Sequence, residues 1–296
     1  MSAHWRGFAF GVLAAILWSL IFIFARRAHL EGLAPQDVVL LRFGIAGVIL
    51  IPIVLRSSVR SLAGVGWGKG AVLALGAGPV FTYLAAAGVQ FAPMSHGAVL
   101  QPSTAFLASA IVAILMLGER LTRLRVIGSS LVFLGLICVS GAGVFLGEPG
   151  AWRGDLMFVS AGLLWALYTI MLRVWGFDGL TSAAAINVIG LLVTVPLFVI
   201  WDSFDRLLAL PLSELLLQAI VHGVLVAVVA LIAFGQAVRA LGVTRSALFP
   251  AMVPAFSLIL GIPILGEIPT AFETFGAVLA TLGLVIALRG QNAQQA

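Results

Sequence analysis

Residues 95–122 read SHGAVLQPSTAFLASAIVAILMLGERLT, an apolar helix candidate with a proline near its start and Gly-Glu near its end. A related segment, TRSALFPAMVPAFSLILGIPILGEIPT, occupies residues 244–270. Matching residues of the two segments stand 148 positions apart: Pro102 and Pro250, Gly118 and Gly266, Glu119 and Glu267, Thr122 and Thr270. A segment that recurs at half the chain length predicts that the whole chain is duplicated.

The composition indicates a membrane protein. The chain has 296 residues, of which 62% are hydrophobic and 9% are charged, whereas a soluble protein carries roughly 25% charged residues. A helix needs about 20 apolar residues to cross a bilayer, and the chain offers several such stretches. The first stretch is too long for a removable signal peptide, and no small-residue cleavage site follows it. The predicted fold class is therefore an all-α integral membrane protein.

The basic residues indicate membrane topology rather than nucleic-acid binding. The formal net charge is +5, but most Lys and Arg residues flank the apolar stretches. An excess of Lys and Arg marks the cytoplasmic side of a membrane protein. With the N-terminus inside, that side holds 11 of the 16 basic residues, so both termini are expected in the cytoplasm. Cys138 is the single cysteine, which excludes an internal disulfide and argues against a metal site.

Ten transmembrane helices are predicted, joined by short connections that make neighbours antiparallel. Their predicted bounds are 5–28, 35–55, 68–91, 93–117, 122–143, 152–175, 180–201, 213–240, 243–265 and 270–288. The duplication extends to residues 6–26 and 153–173, so each half, 1–147 and 148–296, holds five helices. Because five is odd, the second half enters the membrane from the opposite side. Two inverted five-helix repeats are a common transporter design.

Prolines inside predicted spans are expected to interrupt helices around a central cavity. Pro102 and Pro250 occupy matching positions, and Pro79 lies within the third span. An interior proline removes a backbone hydrogen bond, and the freed carbonyl needs another partner or a wet cavity. A simple packing kink is the alternative for each proline taken alone.

Polar side chains inside the spans are candidates for solute binding, because such groups usually face the bundle interior. Gln101 and Thr104 lie one turn apart on the fourth span, as do Gln218 and His222 on the eighth. His96 lies near the outer end of the fourth span, where it could take up a proton. Interhelical hydrogen bonding without solute contact is the alternative for these residues. No acid or lysine is predicted in the middle of a span.

Several aromatic residues depart from the interfacial placement that is usual for Trp and Tyr. Those in the middle of predicted spans are Trp18, Tyr83, Trp165 and Tyr168. Phe22 follows Trp18 by one helical turn. Buried indole and phenol groups need hydrogen-bond partners, so a pocket for an apolar or aromatic solute is predicted. Packing against lipid or neighbouring helices is the alternative.

Other repeated residues are interpreted as structural. Glu119 and Glu267 are expected in the turns before Thr122 and Thr270, which are predicted to cap the next helices. Glycines at matching positions predict close contacts between helices; they are Gly128, Gly135, Gly276 and Gly283. The glycine-rich segment 64–70 lacks the spacing of a phosphate-binding loop, and the sequence shows no metalloprotease motif or nucleophile elbow.

Ten spans, two five-helix halves and Gly-Glu at the ends of spans four and nine resemble the drug/metabolite transporter superfamily, EamA type. Within it, the chain is most similar to bacterial aromatic amino acid exporters of the YddG type. The resemblance implies a bacterial inner-membrane exporter without a cofactor, whose central cavity is formed mainly by spans 1, 3, 4, 6, 8 and 9. The predicted substrate-binding residues are Trp18, Phe22, Tyr83, His96, Gln101, Pro102, Trp165, Tyr168, His222 and Pro250.

The predicted function is export of aromatic or other neutral amino acids and related metabolites by alternating access. Facilitated and proton-coupled export both remain open. The alternatives are export of other small solutes such as drugs, purines or sugars, and, from another class, a membrane enzyme or scaffold. A cationic drug would favour a buried acid, and an enzyme needs converging catalytic groups. Expected partners are the small solute and the lipid bilayer, with no nucleic acid, and a monomer is the simplest expectation.

Overall fold

A computed structural model describes residues 3–57, 59–117, 122–146, 150–200, 204–241, 246 and 248–292. All regular secondary structure in these ranges is helical, which confirms the predicted all-α fold class. The Gly118-Glu119 pair, on which part of the repeat rests, lies outside them.

The first half of the chain forms α1 Ala3–Leu30, α2 Pro35–Ser57, α3 Trp67–Ala77, α4 Pro79–Gly88, α5 Met94–Leu117 and α6 Arg123–Leu146. The second half forms α7 Ala151–Trp175, α8 Gly179–Ile200, α9 Phe204–Ala209, α10 Leu212–Gln218, a π-helical segment Ala219–Val229, α11 Ala230–Leu241, a 3-10 turn Pro250–Met252, α12 Val253–Leu265 and α13 Ala271–Asn292. Among the described residues, eight helical segments are long and apolar enough to cross a membrane, and Pro250–Leu265 is a shorter apolar helix. Helix α5 also has 24 residues.

The third predicted span is broken rather than kinked. Gly78 separates α3 from α4, and Pro79 stands at the start of α4 instead of inside a continuous helix. A Cβ at Gly78 would lie 2.2 Å from the carbonyl oxygen of Ala74. The break therefore requires glycine at this position.

The eighth span, the counterpart of the third in the second half, is irregular in a different way. Residues Ala219–Val229 form 11 residues of π-helix between α10 and α11. Such wider turns occur frequently at functional sites. The matched prolines also differ, since Pro102 lies inside α5 whereas Pro250 begins a 3-10 turn before α12.

The bundle is assembled largely from contacts between the two halves. Helix α6 packs against α13, α2 against α8, α5 against α7, and α1 against α11 and α12. A Cβ on Gly128 would lie 2.6 Å from the carbonyl oxygen of Gly283, and one on Gly135 would lie 2.6 Å from that of Gly276. These distances confirm the close helix contact predicted at the four glycines.

Gly135→Ala is expected to loosen the packing of α6 on α13. The added methyl group would meet backbone atoms of Gly276 and Ala280, and overpacking of this kind costs about 1–3 kcal/mol. The melting temperature of the purified protein in detergent should fall by several degrees. Gly235→Ala is the matched control, because nothing lies within 4 Å of its added Cβ. Equal melting temperatures of the two variants would contradict this packing.

Candidate functional site

Ion pairs connect the two halves at the end of the bundle where α1 ends and α2 begins, termed the distal end. The described chain termini lie at the opposite end. The pairs are Arg26 with Glu267 at 2.6 Å, Arg27 with Glu214 at 2.7 Å, Arg206 with Asp37 at 3.1 Å, and His96 with Asp155 at 2.6 Å and Glu273 at 3.4 Å. Every pair in this set joins one half of the chain to the other. Together they link the two halves at the distal end.

The pair between Arg27 and Glu214 has the geometry of a strong contact. Arg27 donates from Nε and Nη2 to the two carboxylate oxygens, at 3.0 and 2.7 Å. Such bidentate pairs add directional specificity to charge attraction. Gln218 donates to the same carboxylate at 2.9 Å. Glu214 therefore links α1 to the start of the eighth span.

Two neighbouring ion pairs also connect the halves at the distal end. Arg26 donates to Glu267 and also to the carbonyl oxygen of Val89, at 2.7 Å. Glu267 thus contacts the opposite half, a role beyond the turn structure predicted for it. Arg206 hydrogen-bonds to the fully buried Asp37, and this contact raises the pKa of the guanidinium above its usual value.

His96 lies between two carboxylates of the second half. Its Nδ1 is 2.6 Å from Asp155, and its Nε2 is 3.4 Å from Glu273. Ser95 also hydrogen-bonds to Glu273. The backbone N–H of Thr270 donates to Glu273 at 2.6 Å, and that of Glu273 donates to the Thr270 hydroxyl at 3.2 Å. This reciprocal capping box confirms the predicted cap at Thr270 and fixes the carboxylate that faces His96.

In this cluster, protonation of His96 can change the contact between the two halves of the chain. Carboxylates only accept hydrogen bonds, and only a protonated imidazole donates from both ring nitrogens. The sequence reasoning identified His96 but missed Asp155 and Glu273. The Thr-x-x-Glu spacing from Thr270 could have located Glu273, because that spacing places an acid in the first helical turn.

A second polar cluster lies deeper, in a small cavity between α1, α2, α4 and the π-helical segment. Its lining includes Phe22, Arg42, Phe81, Thr82 and His222. The open space is about 10 Å³, which is room for roughly one water molecule. The cavity therefore lies where the broken third span and the π-helical eighth span approach each other.

The polar atoms of this cavity lack partners among the described residues. No well-formed hydrogen bond is made by Arg42 Nε, by Thr82 Oγ1 or by either ring nitrogen of His222. The Phe24 carbonyl approaches the His222 ring without forming one. His222 is 1% exposed and Thr82 is 4% exposed. Leaving a buried polar group unpaired costs about 1–3 kcal/mol, so this cluster is the strongest candidate for a ligand site.

A series of aromatic side chains in contact extends from the cavity toward α7. Phe22 packs edge-on against Phe158, with ring centroids 6.4 Å apart. Phe81 contacts Trp165 at 5.2 Å, and Trp165 contacts Tyr168 at 5.0 Å. The structure thus joins Phe22, His222 and the Trp165–Tyr168 pair through Phe81.

The other predicted site residues lie elsewhere. Trp18 is half-buried against Phe234, at 5.1 Å. Tyr83 is 41% exposed in an apolar groove on the outer face of the bundle. Gln101 is buried on α5, and its Oε1 has no partner among the described residues. His96 belongs to the distal cluster described above. Neither the Pro102 nor the Pro250 position lines the cavity.

Arg42 and Thr82 were missed as site residues. Arg42 lies seven residues into α2, between apolar stretches. That placement is the signal that could have identified it, since charged residues inside spans usually have a functional role. Thr82 had no comparable signal, because threonine is common in membrane helices.

Comparisons with known proteins match nearly the whole chain. A profile of the EamA-like transporter family matches residues 5–141 and again residues 152–289. Uncharacterized transporter YyaM of Bacillus subtilis (strain 168) is 23% identical over 260 residues, covering 86% of this chain and 84% of its own. An uncharacterized transporter of Archaeoglobus fulgidus is 25% identical over 288 residues, covering 95% and 96%. One solved crystal structure has a TM-score of 0.65 at 20% identity over 99% of both chains, which shows a shared fold.

Proposed function

The chain belongs to the EamA-like transporter family and is a multi-spanning membrane transporter, and from this premise we propose that it exports aromatic or other neutral amino acids. The observation that carries the proposal is the cavity lined by Phe22, Arg42, Phe81, Thr82 and His222. It combines unpaired polar atoms with aromatic walls. A zwitterion with an apolar side chain needs both kinds of surface.

The aromatic contacts favour a flat or apolar side chain on the solute. Phe81 lines the cavity and contacts Trp165, which contacts Tyr168, and these three rings are the aromatic wall of the proposal. Offset aromatic pairs contribute about 0.5–1.5 kcal/mol beyond the burial of their area. An aromatic amino acid could lie along this wall with its polar group at His222. Purines, sugars and drugs are the competing solutes.

The proposed orientation places the chain termini in the cytoplasm of a bacterial cell, in its inner membrane. Basic residues at the terminal end of the bundle support it, following the bias of Lys and Arg toward the cytoplasm. They include Arg6, Arg56, Lys69, Arg123 and Arg289. In this orientation the distal end faces outward, and the proposed state of the transporter is one closed to the outside.

The proposed mechanism is alternating access by relative movement of the halves. Opening the distal end requires the ion pairs of Arg26, Arg27 and Arg206 to separate. Both sides of the central cavity come from one chain, so the proposed working unit is a monomer. The contact of His96 with Asp155 gives a place where a proton could be coupled to this movement.

Purified protein in liposomes loaded with labelled phenylalanine tests the proposal. Wild-type protein is expected to release the label faster than empty liposomes do. Trp165→Ala should reduce the rate at least tenfold, because it removes the wall between Phe81 and Tyr168. Trp152→Ala is the matched control on the same helix, since Trp152 is exposed.

Two results would contradict the proposed substrate class. One is the absence of flux above empty liposomes for every amino acid in a panel. The other is equal flux through folded Trp165→Ala and Trp152→Ala variants. A purine or sugar that is released in the same assay would then identify the competing solute class.

A further inference from the structure

We propose that Arg42, Thr82 and His222 bind the carboxylate of the transported solute. This inference rests on the proposed function in one respect: the carboxylate is taken to belong to the transported solute. The site itself is argued from the buried groups that line the cavity.

Arg42 carries a positive charge that the described chain does not neutralise. It lies about 10 Å along α2 from the start of that helix, at 1.5 Å per residue. A charged side chain inside a membrane is costly and normally pairs with another group. No described acidic residue forms an ion pair with Arg42. The distal acids are already engaged, as in Asp37 with Arg206 and Glu214 with Arg27.

The groups around Arg42 are suited to an anion rather than to a cation. A guanidinium group only donates hydrogen bonds, and hydroxyl and imidazole groups are able to donate. No well-formed hydrogen bond is made by Arg42 Nε, Thr82 Oγ1 or the His222 nitrogens among the described residues, although the Phe24 carbonyl lies near the His222 ring. Three groups that can donate, with no described carboxylate paired to them, match a carboxylate, whose two oxygens accept about four hydrogen bonds. Arginine is the preferred side chain for this geometry.

The two irregular spans explain how these donors reach one point. The break at Gly78 begins a new helix, and Thr82 lies in its first turns. His222 lies within the π-helical segment Ala219–Val229. A regular α-helix through either span would point these residues in other directions. In the eighth span each π turn adds a residue to the hydrogen-bonded ring, and in the third span the helix restarts after Gly78. The irregular backbone therefore serves to assemble the donor cluster.

The size of the cavity limits what binds there in the closed state. About 10 Å³ of space holds roughly one water molecule, so a whole amino acid needs the halves to move apart. Phe22 and Phe81 border the donors. A carboxylate at Arg42 would thus leave the rest of the solute against aromatic rings, as the proposed solutes require.

The first test uses wild-type protein and a pair of nearly isosteric ligands. 3-Phenylpropionate carries the carboxylate, and 3-phenylpropanamide replaces it with a neutral amide. The acid is expected to raise the melting temperature of the purified protein, whereas the amide should leave it unchanged at the same concentration. Equal stabilisation by both ligands would overturn the proposal, as would equal stabilisation by sodium chloride alone.

The second test assigns the effect to Arg42. Isothermal titration with 3-phenylpropionate should show at least tenfold weaker binding to Arg42→Gln than to wild type. Arg56→Gln is the matched control, because Arg56 is the exposed arginine at the other end of the same helix. Unchanged affinity in folded Arg42→Gln would overturn the proposal. If that variant does not fold, the acid and amide pair still decides the question in wild type.

These outcomes separate the site from the proposed function. Selective binding of the acid without transport of any amino acid supports the carboxylate site and rejects the amino acid function. Transport of phenylalanine with equal binding of acid and amide rejects the carboxylate site and supports the function.

Discussion

His96→Gln is expected to destabilise the closed distal end by about 3–5 kcal/mol, the cost of removing one partner from a buried ion pair. The imidazole lies 2.6 Å from Asp155 and 3.4 Å from Glu273, and the side chains of all three residues are largely buried. Without it, two carboxylates of the second half face an uncharged group. Separating these carboxylates from the first half then costs less free energy.

The melting temperature in detergent measures this effect. His96→Gln should melt well below wild type, and adding Asp155→Asn should restore part of the loss by removing one unpaired charge. His4→Gln is the matched control, because His4 is exposed near the N-terminus. The role given to His96 is wrong if His96→Gln melts like His4→Gln, or if Asp155→Asn makes the double variant less stable.

Gly78→Ala is expected to disrupt the central cavity and to lower stability. The new Cβ would lie 2.2 Å from the Ala74 carbonyl oxygen and 2.9 Å from its carbon. These are backbone atoms, so the junction of α3 and α4 has to move. Thr82, whose backbone N–H donates to the Gly78 carbonyl at 3.1 Å, would move with it. Binding of 3-phenylpropionate should weaken at least tenfold.

Gly68→Ala provides the matched control for that variant. Gly68 lies in the first turn of α3, and nothing is within 4 Å of its added Cβ. Titration of both variants, with circular dichroism to confirm folding, gives the comparison. Full binding by folded Gly78→Ala would show that the break in the third span does not position the site.

Features that depend on local sequence or on the repeat could be predicted. The glycine contacts of α6 with α13 follow from matching positions in two halves that pack against each other. The cap at Thr270 follows from residues three positions apart. Both require little knowledge of how the whole bundle is arranged.

The ion pairs of the distal end could not be predicted in the same way. Arg26 and Glu267 are 241 positions apart, and Arg27 and Glu214 are 187 apart. These contacts depend on how the end of α1 meets α10 and the turn between α12 and α13. The sequence reasoning therefore treated the arginines as topology signals and Glu267 as a turn residue.

Tyr83 was predicted as a site residue because it lies in the middle of the third predicted span, without assignment to a helix face. Reading the third span as one continuous α-helix assigns each residue to a face by a period of 3.6 residues. The break at Gly78 ends that period, and Tyr83 on α4 lies in the outer groove instead. Sequence periodicity alone does not reveal where a helix restarts.

The two ends of the bundle are not chemically equivalent, although the halves are related by the repeat. The repeat matches His96 with Thr244, Asp155 with Phe8 and Glu273 with Arg125, each 147 or 148 positions away. The matching residues therefore do not repeat the His-Asp-Glu set of the distal end. Protonation can therefore affect the distal end of the bundle differently from the opposite end.

Separation of the halves at the distal end is the central claim, and the distance between spin labels at positions 30 and 268 tests it. Leu30 and Ile268 are 58% and 81% exposed and flank the Arg26–Glu267 pair. After Cys138→Ser, cysteines at these positions can be labelled for pulsed dipolar spectroscopy in liposomes. We predict a short distance without solute and a second, longer distance that grows when a transported solute is added. A single distance that stays the same with and without solute would contradict the account.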